Sequence, residues 1–176
     1  MPNSEELIVC SAISYPKPDS DLFPAAVAIA FELMTKGRKI TTNFRKAPVL
    51  FMPLDDYGVI TLRAWAKKKR DGSMESADEV RAKLNALIDD LDPEKIVQSS
   101  TQGKMQLAFI LDTKPIPDAA LRNNLYGAAF GIARRDQLGI VGSDLAQRLD
   151  NLTVEQVTEC LEKHFAKPKR SVVIVK

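Results

Sequence analysis

One histidine, His164, and two cysteines, Cys10 and Cys160, stand in this 176-residue chain. Cys160 and His164 are four positions apart in a stretch of helical periodicity, so a thiol and an imidazole could meet on one face. A Cys–His nucleophile also needs a third group to orient the base, and none is evident here. Cys160 falls beside the apolar stripe of its helix, which favours packing over reactivity. A hydrolytic metal site asks for three protein ligands and an open position. With a single imidazole the chain can form neither H-x-x-E-H nor H-E-x-x-H. His164, near a lysine-rich helix end, reads as structural or solvent-facing, and no catalytic residue, metal ligand or cofactor is assigned.

Other constellations lead to structural readings. Gly127–Gly131 (GAAFG) has the small residues of a phosphate cradle but lies inside a helical pattern without a preceding strand. Close helix packing explains it better. Asp89, Asp90, Asp92 and Glu94 straddle a helix–helix junction without the spacing of a calcium loop. The basic segments Lys36–Lys46 and Lys67–Arg70 could form a positive patch if a sheet brought their ends together. Only Phe44 and Trp65 flank them, so the aromatic interleaving expected of a nucleic-acid surface is thin.

The elements that must position these residues follow from pattern. Leu7–Tyr15 is a β-type run closed by Pro16 and Pro18, with Asp19–Ser20–Asp21 offering caps to a helix over Leu22–Met34. That helix is apolar almost all round, tolerates Pro24 in its first turn and has Gly37 as a stop. Val49–Leu54 and Val59–Ala66 read as a hairpin across Asp55–Gly58, with Pro48 and Pro53 placing its first strand at an edge or bulge. Ser76 and Glu79 have capping-box spacing ahead of a Val80, Leu84, Leu87, Leu91 stripe. Asp92–Pro93 ends that helix and caps the next, read as running through Ile96, Gln98–Gln102 and Leu107–Leu111. A long helix covers Asp118–Leu138 and a short one Ser143–Leu149.

The closing stretch, LDNLTVEQVTECLEKHFAKPKRSVVIVK, is the sharpest. Thr153 and Gln156 form a second capping box, Leu152 and Val157 sit as a hydrophobic staple, and Pro168 ends the helix. Ser171–Val175 is β-branched without alternation, which suits a strand covered on both faces or deep in a sheet. The order β-α-β-β-α-α-α-α-β predicts one α+β domain over 1–176, a mostly antiparallel sheet with helices packed on one face. Two sheet edges are open to recruit another chain.

The net charge of +2 implies no globally acidic or basic partner. The two cysteines have no metal-type or redox-type pairing. Met1–Glu6 lacks the regions of a signal peptide, and no apolar run reaches membrane-spanning length, Glu32 interrupting the longest. A cytoplasmic protein without membrane insertion is the expectation.

Taken in series, Asp21–Lys46 (DLFPAAVAIAFELMTKGRKITTNFRK), Thr61–Thr113 and the closing stretch resemble the non-catalytic domain of the pitrilysin/insulinase-type zinc peptidases. The resemblance spans about Leu7 to Lys176 and implies an inverzincin-type α+β domain, one of two or four in a clam-shell. The active site of that family is an H-x-x-E-H motif on the first helix of a different domain. The equivalent helix here, FPAAVAIAFELM, has Glu32 and no histidine. The family's partner domain contributes an arginine and a tyrosine that hold substrate backbone. Arg45 stands at the arginine position, with Phe44 and Lys46 beside it, while the tyrosine position falls near Phe51 or Met52. The resemblance thus implies an inactive peptidase-like domain that binds protein or peptide as a scaffold subunit. Its partner would be another peptidase-like domain, from itself or a sister chain. Two alternatives stand beside it: the substrate-holding half of a split zinc peptidase, and a small nucleic-acid-binding α+β protein using its basic loops.

Overall fold

Strand β1 (Ile8–Tyr15) occupies the middle of the described sheet because both of its edges are taken by antiparallel partners. A computed structural model describes residues 7–40, 49–53, 58–99 and 145–175. On one side β1 pairs with β3 (Gly58–Trp65), from Ile8 opposite Trp65 to Tyr15 opposite Gly58. On the other it pairs with β4 (Arg170–Val175), from Ile8 opposite Val175 to Ile13 opposite Arg170. β2 (Val49–Pro53) adds outside β3, giving the order β2-β3-β1-β4. The expected antiparallel α+β architecture is present. β2 is an outer strand of the described sheet, where Pro53 need not donate to a further strand.

Period-two alternation sorts the sheet into two faces. Val9, Ile13 and Tyr15 of β1 and Ile60, Leu62 and Ala64 of β3 are buried. Their alternates Cys10 and Ala12, and Val59, Thr61, Arg63 and Trp65, are half-buried. Helices supply the other wall of the core. Helix α1 (Phe23–Ile40) buries Phe23, every residue of Ala25–Ala30, and Leu33. Helix α2 (Ala77–Asp89) buries Val80, Leu84, Leu87 and Ile88, while Leu91 packs at the rim. Short helices α3 (Pro93–Gln98), α4 (Leu145–Asp150) and α5 (Val154–Cys160) add Ile96, Leu145, Leu149 and Val157. Helix α5 widens into a π turn, Leu161–Phe165, and a 3-10 turn at Lys167–Lys169 leads into β4.

Local chemistry accounts for the helix starts. Both capping boxes are formed: Ser76 Oγ accepts from the Glu79 amide while the Glu79 carboxylate accepts from the Ser76 amide, and Thr153 and Gln156 do the same. Asp92 Oδ1 accepts from Glu94 and Lys95 amides, with Pro93 in the first turn. Gly72, at φ +88°, turns the excursion between β3 and α2.

Three expectations are corrected. Gly37 does not stop α1, which continues to Ile40. A glycine ends a helix by taking up positive φ, and among the described residues only Gly72 does so. Helix α3 ends at Gln98 instead of running on, because Ser99 turns extended, its amide bonding the Lys95 carbonyl and its hydroxyl donating to the Ile96 carbonyl. The long helix expected over Asp118–Leu138 lies outside the described residues. Third, Ser171–Val175 is not covered on both faces. It is the outer strand of the described sheet, with Val173, Ile174 and Val175 respectively 57%, 46% and 48% exposed. An unbroken β-branched run signals strand, but its burial depends on its place in the sheet order, and β1 has already taken the centre.

Candidate functional site

The first helix is where the resemblance places metal chemistry, and its side chains are otherwise engaged. Glu32 is the one carboxylate on α1. It forms an i,i+4 ion pair with Lys36 at 3.7 Å, and Lys36 Nζ also donates to the Asp90 carbonyl at 2.9 Å. The helix is thereby tied to the end of α2, and no imidazole lies on it. Among the described residues no group of three or more His, Cys, Asp or Glu side chains converges as a metal site.

Cys160 and His164 do not make a nucleophilic pair. Cys160 is fully buried, and burial, with the nearby Glu159 charge, pushes its thiol up to about 12. Such a thiol stays protonated and unreactive at neutral pH. His164 lies on the π turn beside the main chain of Ser14. Burial holds its pKa below the ordinary value; the Ser14 backbone bond opposes that, and Lys163 and Lys169 add to it. Both residues act as packing groups at the junction of α5 and the sheet.

The carboxylates expected at the α2–α3 junction have separate structural roles. Asp89 Oδ1 accepts from Arg170 Nη2 at 2.6 Å and its Oδ2 lies 3.3 Å from Lys167 Nζ. The Arg170 bond, then that of Lys167, holds the Asp89 carboxyl below its ordinary range. Asp92 is the cap of α3. Of the basic segments, Lys69 pairs with Glu79 at 2.7 Å and the Lys67 amide donates to Glu75, which also pairs with Lys83. Glu79 is lowered to about 2, chiefly by the Lys69 bond. This excursion folds back on α2. Phe44, Arg45 and Lys46, like Gly127–Gly131, lie outside the described residues.

What remains as a candidate site is a surface that no sequence motif marks: the edge of β4 and the adjoining sheet face. Register lines up Trp65, Ile8 and Val175 in one row, and Arg63, Cys10 and Val173 in the next. Val173 and Val175 are exposed, and Ile8, Cys10 and Trp65 half-buried. Met74, 54% exposed, lies on the excursion that leaves β3 at this same end. Arg170 is the only charged residue of β4. Its side chain is 5% exposed, held by the Phe165 carbonyl at 2.8 Å, Asn85 at 3.1 Å and Asp89. The signal in the sequence was the absence of any charge across Ser171–Val175, a run that an edge strand ordinarily interrupts.

No protein-family model matches the chain, and no curated protein does. Solved structures do match in fold. A candidate zinc protease from Bordetella pertussis Tohama I superposes with TM-score 0.59 at 14% identity, over 98% of this chain and 94% of that one. The inactive peptidase domain of a candidate zinc protease from Bordetella parapertussis gives 0.55 at 12% identity, over 100% and 96%. A peptidase M16 inactive domain from Pseudomonas fluorescens gives 0.60 at 16% identity, over 97% of this chain and 40% of that one. The fold is therefore that of M16 peptidase domains, inactive ones among them. The chain spans nearly all of the two Bordetella structures and two fifths of the Pseudomonas one. Among the described residues no helix is long and apolar enough to cross a membrane.

Proposed function

We propose that the chain is a catalytically inert peptidase-like domain that serves as a binding or scaffold subunit, assembled with another domain of the same fold. The observation that carries the reading is α1: a peptidase-type first helix without histidine, its one carboxylate paired to Lys36. A chain with one imidazole in all, and that one on the π turn Leu161–Phe165, cannot build the inverted zinc motif. The described residues nonetheless keep the peptidase-domain fold, which supports a role other than zinc hydrolysis. Pairing is supported by the Pseudomonas structure, in which this fold occupies only 40% of the chain. A cytoplasmic setting belongs to the same reading, supported by two free thiols, Cys10 and Cys160.

The test is to mix the full chain with a zinc-bearing domain of this fold and follow solution mass and peptide cleavage. A stoichiometric complex, with no zinc-dependent cleavage by the chain alone, is expected. A strict monomer that joins neither itself nor the sister domain overturns the reading, as does cleavage by the chain alone. A second reading, the substrate-holding half of a split peptidase, is supported by the position of Arg45 in the sequence. It expects cleavage by the mixture to fall in Arg45→Ala.

A further inference from the structure

We propose that the outer edge of β4 in the described sheet is a self-association surface, on which a second copy of this chain adds its own β4 antiparallel to form one continuous sheet across both copies. The inference rests on the proposed function and names the surface and the occupant. The two outer strands of the described sheet differ in protection. β2 is flanked by Pro48 and ends on Pro53, which weakens it as a template. β4 has no proline, no bulge in its register with β1, and no charged residue between Ser171 and Val175. Such an edge offers unpaired main-chain donors and acceptors to another strand.

Three observations favour a second copy as occupant. The first is charge. Pairing about Val173 sets Arg170 opposite Lys176 of the other copy in sequence, and that contact is eased because the Arg170 guanidinium is held by Asp89 at 2.6 Å. The small net charge of +2 opposes self-association little. The second is self-complementarity. An antiparallel pair with Val173 on the two-fold axis sets Val172 against Ile174 and Ser171 against Val175, so apolar β-branched residues meet apolar or small ones throughout. That is the isologous geometry of the commonest dimers. The third is exposure. Among the described residues, three of the four exposed large hydrophobic ones, Val173, Ile174 and Val175, lie on this strand, and the fourth, Met74, belongs to the excursion at its end. A two-fold axis normal to the sheet keeps the helical layers of both copies on one side. The outer rows containing Ile8, Cys10 and Trp65 then merge into one face.

Sedimentation velocity on the full chain over a dilution series, with hydrogen exchange at the same concentrations, tests this. The wild type should dimerise, and Ser171–Val175 amides should exchange more slowly as dimer forms and recover on dilution. Val173→Lys, which puts two ammonium groups near the axis, should raise the dimer dissociation constant roughly tenfold or more while leaving the monomer folded. Hydrogen exchange on the wild type keeps the test decisive if that variant fails to fold. A wild type that stays monomeric, a dimer unaffected by folded Val173→Lys, or a dimer without slowed β4 exchange each overturns the inference. A monomer that still binds a sister domain removes this inference and leaves the proposed function standing.

Discussion

Arg170 and Asp89 form the latch that fastens the outer strand to the helical layer, Nη2 to Oδ1 at 2.6 Å across 81 residues of chain. The guanidinium also donates to the Phe165 carbonyl and to Asn85, so one side chain joins β4, the π turn and α2. Its planar fork suits this divergent set in a way a lysine cannot match. Asp89 is over a third exposed, so screening reduces what the ion pair contributes. Arg170→Met is expected to cost about 2 kcal/mol, mostly from the lost hydrogen bonds of a nearly buried cation, and Arg170→Lys is expected to recover less than half. Urea denaturation measures both.

The pH dependence of stability has a sign on each side. Hydrogen bonds from their partners lower the carboxyls of Asp71, Glu75, Glu79, Asp89 and Asp92. Stability from these groups is complete above their ordinary values and is lost as pH falls through the lowered ones. His164 is lowered from 6.5 by burial, so it favours the fold while neutral, and that contribution declines as pH falls below 6.5. Cys160 is raised from 9.0 to about 12, so its contribution is full below 9 and declines above it. Thermal unfolding across pH should show a plateau between about 6.5 and 9. Cys160→Ala should flatten the alkaline limb and His164→Gln the shallow first part of the acid limb.

Tyr15 and Gly58 face each other at the end of the β1–β3 ladder. A Cβ built on Gly58 would lie 1.8 Å from Tyr15 Cζ, in hard clash with a ring that is itself set against Phe23 with centroids 6.2 Å apart. Gly58→Ala must displace that ring from the core and is expected to cost about 3 kcal/mol. Tyr15→Ala is destabilising alone through its lost burial. In a double-mutant cycle the two losses should be less than additive, because removing the ring makes room for the methyl.

The capping boxes make a more local prediction. Ser76→Ala and Thr153→Ala should each cost about 1 kcal/mol, measured as shifts in the urea midpoint with unchanged slope. The two caps share no partner, so the double variant should add.

These caps were legible in the sequence because their chemistry spans three residues. So were the Pro-marked outer strand β2 and the buried first helix, both set by nearest neighbours in the chain. The exposure of Val173, Ile174 and Val175 was not legible. It depends on which strand takes the centre of the sheet, and that is settled by pairing across more than 150 residues, from Ile8 to Val175. The continuation of α1 past Gly37 was hidden for a similar reason. Lys36 is held by Glu32 and by the Asp90 carbonyl, a partner 54 residues away. Of the candidate site, the missing zinc ligands were plain from the single histidine. That sheet edges would be open was legible in the element order, but not that β4 would be one of them, because no motif marks an edge strand, only the absence of the residues that usually guard one.

The most direct measurement is the sedimenting mass of the full 19.5 kDa chain, alone and mixed with a zinc-bearing domain of the same fold. The expected result is a species heavier than the monomer in at least one of the two samples, concentration-dependent and without zinc-dependent peptide cleavage by the chain alone. A 19.5 kDa monomer in both samples would contradict a role as an inert assembling subunit.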